Sequence, residues 1–201
     1  MADELLRELA PLLAEDGIDA TNIDVPDLDT LQMAMNRAVE RRNMELFTPV
    51  GRARELAAST LRQAIQAIAD DDSVLAATII QKVQPESPRN TTATVAGCIG
   101  MALGLLDGWL SGADPDAPAG LRQRVRLPNG HWAGKTAATD ILALAGKQRA
   151  FRSLHTLITR HTGERVLYGS TLALAATTQA WATHTDTPIA ELAELADNIV
   201  R

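Results

Sequence analysis

The clearest pattern in the chain is the recurrence of apolar residues at helical spacing. In the first segment the apolar positions are Leu5, Leu6, Leu9, Leu12 and Leu13. This spacing places them in one stripe of a helix that Gly17 can end. Comparable stripes follow over 28–46 and 49–70, whereas the stretches near 92–110 and 164–184 predict two glycine- and alanine-rich helices buried inside the amphipathic ones. The pattern therefore predicts an all-α protein, a bundle of about seven or eight helices.

The most apolar stretch predicts a buried central helix from Thr92 to about Leu110. Its uncharged run, Asn90 to Leu106, has 17 residues, fewer than the roughly 20 that a membrane span needs. We therefore expect a helix packed inside the protein and no contact with a membrane. Four glycines on roughly one side would let another helix approach closely. These helix-packing glycines are Gly97, Gly100, Gly104 and Gly108.

Residues 111–121 interrupt the helical pattern. Their sequence, SGADPDAPAGL, is rich in glycine, proline and aspartate, and it marks a possible sub-boundary inside a single helical domain of residues 1–201. It would separate an N-terminal half, 1–110, from a C-terminal half, 122–201. Beyond it, RQRVRLPNGHWAG carries an Asn-Gly turn between short alternating stretches. That pattern predicts a small hairpin or irregular insertion near 122–133.

A weak internal repeat is a further hypothesis. Three residue pairs lie 72 positions apart inside two comparable alanine-rich helices: Gly97 and Gly169, Trp109 and Trp181, and Asp114 and Asp186. Alanine-rich helices align with one another readily, so these pairs alone do not establish a duplication.

Composition agrees with a helical protein of the cytoplasm. The 201 residues are 46% apolar but only 3% aromatic, and alanine and leucine, which dominate, have the best helix propensities. The N-terminus, MADELLREL, is acidic and lacks the basic start of a secretory signal. The one cysteine, Cys98, cannot form an intrachain disulfide, which agrees with a reducing compartment. We therefore expect a cytoplasmic protein.

The string GHWAGKT at 130–136 raises the question of nucleotide binding. A P-loop needs four residues between its two glycines, because the loop length sets how backbone N–H groups surround the phosphates. Gly130 and Gly134 have only three residues between them. A P-loop protein also needs an acidic residue at the end of another apolar strand to bind magnesium, and the sequence contains no such strand. The sequence favours a turn followed by a helix start, with Lys135 and Thr136 solvated.

No set of residues meets the demands of catalysis or metal binding. The histidines include no i, i+4 pair, Cys98 lies in an apolar stretch, and Gly169-Ser170 lacks the second glycine of a nucleophile elbow. Asp70–Asp72 lie between two helices, where one can cap the second. We therefore expect no enzymatic activity, no cofactor and no metal. We interpret the histidines as surface or cap residues: His131, His155, His161 and His184.

Charge is distributed unevenly along the chain. Residues 121–165 carry nine basic and two acidic side chains, a net charge of +7, although the whole chain has a net charge of −6. Residues 1–120 have a net charge of −10. The basic segment therefore faces either a polyanion or the acidic half of the protein, within the chain or across a dimer.

A helix-turn-helix over 136–161 would give the basic segment 122–165 a role in binding nucleic acid. Gly146 would lie in the turn, and a second helix over 148–161 would carry the basic contacts. Arg152 fits imperfectly, since the motif usually buries an aliphatic side chain there. The candidate contacts are Arg122, Arg124, Arg126, Lys147, Arg149 and Arg152.

Three functions stay open at this point. We favour a non-enzymatic interaction or regulatory module that self-associates, most simply as a homodimer. The first alternative is the nucleic-acid-binding protein described above. The second is a small-ligand-binding helical sensor, whose pocket would be reported by the fluorescence of Trp109, Trp132 or Trp181.

Overall fold

The computed structural model describes residues 7, 10–11, 13–15, 17–19, 28–83 and 88–192. The chain divides into two compact units, Met1–Leu46 and Phe47–Arg201. The described residues are helical or irregular and contain no strand. The prediction of an all-α, multi-helix fold is confirmed.

Eight helices begin and end within the described ranges. They are α1 (Leu28–Phe47), α2 (Gly51–Ala69), α3 (Ser73–Lys82), α4 (Pro88–Ser111), α5 (Leu121–Arg124), α6 (Lys135–Ala145), α7 (Leu154–Arg160) and α8 (Gly163–Thr185). Helical residues before Gly17 and at 189–192 bring the described helical segments to ten, against the seven or eight predicted. The difference arises from elements such as α5, whose four residues are too few to show helical periodicity.

The N-terminal unit has a small core between its first helix and α1. Leu13, Ala34 and Ala38 are buried there. Gly17 adopts φ +75° and donates its N–H to Ala14 O at 3.0 Å, so it ends the first helix as predicted. The other leucines of the predicted stripe lie outside the described residues.

The larger unit is built around α4 and α8. These two helices contact each other, and both contact α2 and α6. In α8 every residue from Val166 to Thr178 is buried. The prediction that two alanine- and glycine-rich helices form the centre of the fold is therefore confirmed.

The buried hydroxyl groups of α8 are satisfied within their own helix. Four buried hydroxyls of α8 donate to carbonyls about one turn earlier in the same helix, at 2.8 to 3.0 Å. They belong to Ser170, Thr171, Thr177 and Thr178. Such bonds remove the cost of burying a hydroxyl. Ser170 is thus a packing residue of the helix interior.

Two tryptophans join the central helices. Trp109 of α4 meets Trp181 of α8 edge to face, with ring centroids 5.2 Å apart and planes at 79°, a favoured aromatic geometry. The pair is one of the three found 72 positions apart. The internal repeat itself stays a prediction.

Gly97 and Gly100 of α4 lie where a side chain would not fit. A Cβ on Gly97 would come within 2.9 Å of Pro49 Cβ, and a Cβ on Gly100 would overlap the backbone carbonyl of Phe47. Their closest neighbours are therefore Phe47, the last residue of α1, and Pro49 in the connection that follows, although the sequence suggested close packing of another helix. Close approach of this connection fixes it against the central helix.

Gly104 and Gly108 differ from the expectation of close packing. A Cβ on Gly104 would have no neighbour within 4 Å, and a Cβ on Gly108 would meet only Asp114 Cβ at 3.8 Å. Among the described residues, neither glycine is needed for a close contact. The physical reason is that Gly104 is exposed to solvent and Gly108 is only partly buried.

Cys98 is a packing residue of α4. Its side chain is fully buried, and Sγ lies 3.7 Å from the carbonyl oxygen of Ala57 in α2. Burial raises the pKa of the thiol to about 12. The thiol therefore stays protonated and unreactive at neutral pH, as expected for a cysteine in an apolar stretch.

The acidic run at 70–72 caps a helix. Asp72 Oδ1 accepts the N–H of Leu75 at 2.8 Å at the start of α3. This is the side-chain cap expected for the first turn of a helix. The capping interpretation of Asp70–Asp72 is confirmed through Asp72.

Of the two alternatives predicted near 122–133, the hairpin is wrong and the irregular insertion is confirmed. All of these residues are described and none is in a strand; α5 occupies the start, and an irregular loop follows. Pro128 supplies no N–H for a ladder. The indole of Trp132 donates instead to Asn129 O at 3.0 Å. A side chain therefore closes the Asn-Gly turn.

Residues 111–121 do not separate two cores. Buried residues on both sides, from Ala57 to Leu192, belong to one hydrophobic cluster. The compact units divide instead between Leu46 and Phe47.

The segment Ala93–Ser111 is long and apolar enough to cross a membrane, but 72% of it is buried inside the protein.

We predict opposite effects for alanine at two α4 glycines. Gly100→Ala forces the Phe47 carbonyl away from α4 and should lower the free energy of unfolding by about 1–3 kcal/mol. Gly104→Ala adds a methyl group in open space and should raise it by up to about 1 kcal/mol. Urea unfolding followed by circular dichroism measures both changes. Equal effects would contradict the close contact at Gly100.

Candidate ligand-binding cleft

The start of α6 carries backbone N–H groups that have no acceptor within the described residues. Its N-cap residue is Gly134, in the left-handed conformation at φ +74°, and no side chain caps the helix. The first main-chain N–H bonded in helical fashion is that of Ala138, to Gly134 O at 2.8 Å. Within the described part of the chain, the N–H groups of Thr136 and Ala137 therefore have no acceptor. Such donors at a positive helix end attract anions.

Two glycines let this helix start lie directly on α8. A Cβ on Gly134 would come within 2.5 Å of Gly169 N and 2.7 Å of Tyr168 Cβ. A Cβ on Gly169 would come within 2.7 Å of Ala137 Cβ and 2.9 Å of Ala138 N. Both positions therefore require glycine. The contact brings the first turn of α6 beside the first turns of α8.

The two helix starts line one open cleft of about 910 Å³. One wall is the loop and first turn from Gly130 to Ala137, and the other is formed by Arg160, His161 and the first turns of α8. The first turns of both helices therefore border the same space, although α8, unlike α6, has a side-chain cap: Thr162 Oγ1 accepts the N–H of Arg165 at 3.4 Å. Residues 130–136 form the turn and helix start that the sequence predicted. They also form one wall of this cleft.

The cleft is lined by three permanent cations. Arg165 is exposed, and Arg160 forms an ion pair with Asp140 of α6 at 3.1 Å. Lys135 is partly buried, with Nζ donating to Pro128 O at 2.8 Å and to Gly130 O at 3.2 Å. The expectation of a solvated lysine is therefore wrong, because the loop carbonyls bind its ammonium group. Arg165 is left as the cation most available to a ligand.

His161 adds a buried polar group to the same wall. Its side chain is 7% exposed, and Nε2 lies 2.8 Å from Asp140 Oδ2. The carboxylate fixes the imidazole ring and keeps a proton on Nε2. Within the described residues Nδ1 has no hydrogen-bond partner. His161 is the C-cap residue of α7, which confirms the cap that the sequence predicted, and it also presents one uncommitted nitrogen.

The first three candidate nucleic-acid contacts donate to nearby backbone carbonyls. Arg122 bonds to Gly146 O at 3.3 Å, Arg124 to Ala119 O at 3.0 Å, and Arg126 to Gln123 O at 2.7 Å. Their guanidinium groups help to hold the ends of α5 and α6 and the link between them. They are exposed, but their donors are partly used within the chain.

The predicted helix-turn-helix is wrong. The connection after α6 spans 146–153, longer than the three or four residues of that motif, and α7 has only seven residues. Lys147, Arg149 and Arg152 are exposed in this connection, not on a second helix. The described residues therefore contain no recognition helix that presents them.

Asp107 of α4 explains why α7, which stands where the second helix of the motif was predicted, begins only at Leu154. Its two carboxylate oxygens each accept one backbone N–H, from Ala150 and from Phe151, both at 3.0 Å. Gln148 is in the left-handed region at φ +54°. Burial raises the pKa of Asp107, while the hydrogen bonds and the charge of Arg152 lower it. A residue more than 40 positions away thus shapes the turn.

The remaining candidate residues are dispersed. His131 lines the cleft, and His155 and His184 are exposed elsewhere. In the described part of the chain no three histidine, cysteine or acidic side chains could hold a metal ion. Sequence reasoning missed the pairing of Asp140 with His161, which are 21 positions apart. Gly134, which precedes Lys135 and Thr136, was the one feature of the sequence that pointed to the cleft.

Comparisons of the chain with known protein families, with curated proteins and with solved structures gave no match. The cleft is therefore interpreted from its own geometry.

We predict that Asp107→Asn destabilises the protein. The amide offers one acceptor where the carboxylate offers two, so one buried N–H loses its partner, at a cost of about 1–3 kcal/mol. Chemical unfolding of both proteins measures the difference. Asp116→Asn, which removes the same charge at an exposed site, should change stability by less than about 0.5 kcal/mol. A fully stable Asp107→Asn protein would contradict this role.

Proposed function

We propose that this protein is a non-enzymatic, ligand-binding regulatory module. Its ligand places a phosphate or carboxylate group in the cleft between the starts of α6 and α8. The observation that carries this proposal is the pair of unpaired N–H groups at Thr136 and Ala137, on a helix start that has no side-chain cap. An anion satisfies these donors and the helix dipole together.

Electrostatics support an anionic ligand. Arg165 and Arg160 line the same cleft as the donors, and their positive charges favour an anion there. Glu164 and Asp140 offset part of this charge, and Asp140 is already paired with Arg160 and His161. Nδ1 of His161 offers one further polar atom in the same wall.

Binding fits the site better than catalysis. A histidine that serves as a general base is expected to reach a nucleophile by a hydrogen bond. His161 is bonded to Asp140 alone among the described residues. The thiol of Cys98 and the hydroxyl of Ser170 are buried inside the helical core. The groups of the cleft are therefore suited to hold an anion, and no reaction is proposed.

The test is calorimetric titration of pyrophosphate into wild type, Arg165→Ala and Arg149→Ala. Arg165 lines the cleft, whereas Arg149 is exposed outside it, so both variants lose one positive charge. Loss of a charge-assisted hydrogen bond should weaken binding about tenfold in Arg165→Ala. Arg149→Ala should stay within about twofold. Absent binding, or equal weakening in both variants, would contradict the proposal.

Self-association is a second candidate function, favoured by an apolar groove on α4. The groove has a volume of about 340 Å³ and is lined mainly by Phe47, Met101, Leu105 and Phe151, beside the exposed Gly104. The most apolar helix is thus uncovered at a residue without a side chain. A helix of a second copy could approach α4 closely at this point.

Sedimentation equilibrium over a range of concentrations tests this candidate. We expect a dimer that Gly104→Arg converts to a monomer, because the charged side chain would fill the groove. Ala143→Arg adds the same charge at an exposed site of α6 and should leave the dimer intact. A wild-type protein that stays monomeric at about 100 μM would rule out a dimer of micromolar affinity.

Nucleic-acid binding by residues 122–165 stays a prediction, because no described helix presents its basic side chains together. The exposed side chains of Lys147, Arg149 and Arg152 are its remaining support. Salt-sensitive retention on DNA or RNA that is lost in an Arg149→Ala, Arg152→Ala double variant would revive it.

A further inference from the structure

A second, apolar pocket adjoins the cleft. It has a volume of about 210 Å³ and lies between α3 and α8, with Ala76, Ala77 and Ile80 on one side and Leu172 on the other. His131, Trp132, Ala133 and Tyr168 line both the pocket and the cleft. The two spaces are therefore adjacent and share these four residues as a wall.

The shared wall is held in place by its own hydrogen bonds. The indole N–H of Trp132 donates to Asn129 O at 3.0 Å. The hydroxyl of Tyr168 lies 3.5 Å from Ala77 O, a long contact that faces α3. Burial raises the pKa of Tyr168, so its phenol stays neutral at physiological pH. The wall therefore offers two aromatic side chains, Trp132 and Tyr168, beside His131 and Ala133.

The volume of the pocket limits what can enter it. A closed apolar cavity of about 150 Å³ accepts a benzene molecule. A pocket of about 210 Å³ thus has room for one aromatic ring or a branched alkyl group of similar size, but not for a larger ring system. Its apolar lining disfavours a second charged group.

We infer that the ligand of this module joins one acidic group to one apolar group the size of an aromatic ring. The acidic group binds at the starts of α6 and α8, and the apolar group enters the pocket past Trp132 and Tyr168. This inference rests on the proposed function, because it assigns the second half of the same ligand. It specifies an aryl or branched-alkyl phosphate or carboxylate.

Phenyl phosphate and inorganic phosphate, titrated into the full chain, test the inference. Burial of the ring should make phenyl phosphate bind about tenfold tighter in wild type. Ala77→Leu fills the pocket and should abolish this preference while leaving inorganic phosphate unaffected. Arg165→Ala should weaken both ligands. Benzoate, titrated in parallel, shows whether a carboxylate replaces the phosphate.

The outcomes separate the two proposals. Equal affinity of wild type for phenyl phosphate and inorganic phosphate, with both weakened by Arg165→Ala, would overturn the amphipathic ligand and leave the anion site in place. Failure of every anion to bind would overturn both. Ala133→Leu, which narrows the shared wall from an exposed position, supplies a second pocket variant if Ala77→Leu does not fold. Retention of the full preference in a folded pocket variant also overturns the inference.

Discussion

The site depends on the contact between Gly134 and Gly169. Two residues without side chains let the first turn of α6 lie on the second turn of α8, at a distance that any Cβ would prevent. Because Gly134 is also the N-cap residue, it supplies no hydroxyl or carboxylate to the N–H groups of Thr136 and Ala137. The same residue type therefore produces both the close packing and the unsatisfied donors, which links the fold to the anion site.

Long-range polar contacts hold the irregular segments that the helical core cannot order by itself. Asp107 accepts backbone N–H groups of the connection before α7, and Asp140 is hydrogen-bonded to His161 at the end of that helix. Each contact joins segments far apart in the chain, and each uses a carboxylate that the core partly buries. Rigid helices thus carry the acceptors, while the connections adapt to them. This arrangement fixes one wall of the cleft without a long loop.

The helices could be predicted from the sequence because burial follows their own periodicity. The stripe of α2 and the continuous apolar run of α4 are local patterns, and both are found where expected. The turn at 146–153 could not be predicted, because the acceptor that shapes it, Asp107, is a single charge in an apolar helix. The cleft was missed for a similar reason: the spacing of GHWAGKT excluded a P-loop, and only the packing partner Gly169 reveals the helix start as a site.

The most direct test of this account is the amide spectrum of the α6 start. Addition of pyrophosphate should shift the ¹H–¹⁵N signals of Thr136 and Ala137 in wild type. Gly169→Ala, which pushes α6 away from α8, should abolish those shifts while the helix content measured by circular dichroism is kept. An unchanged response in a folded Gly169→Ala protein, or shifts confined to other parts of the surface, would contradict the central claim that this glycine contact creates the anion site.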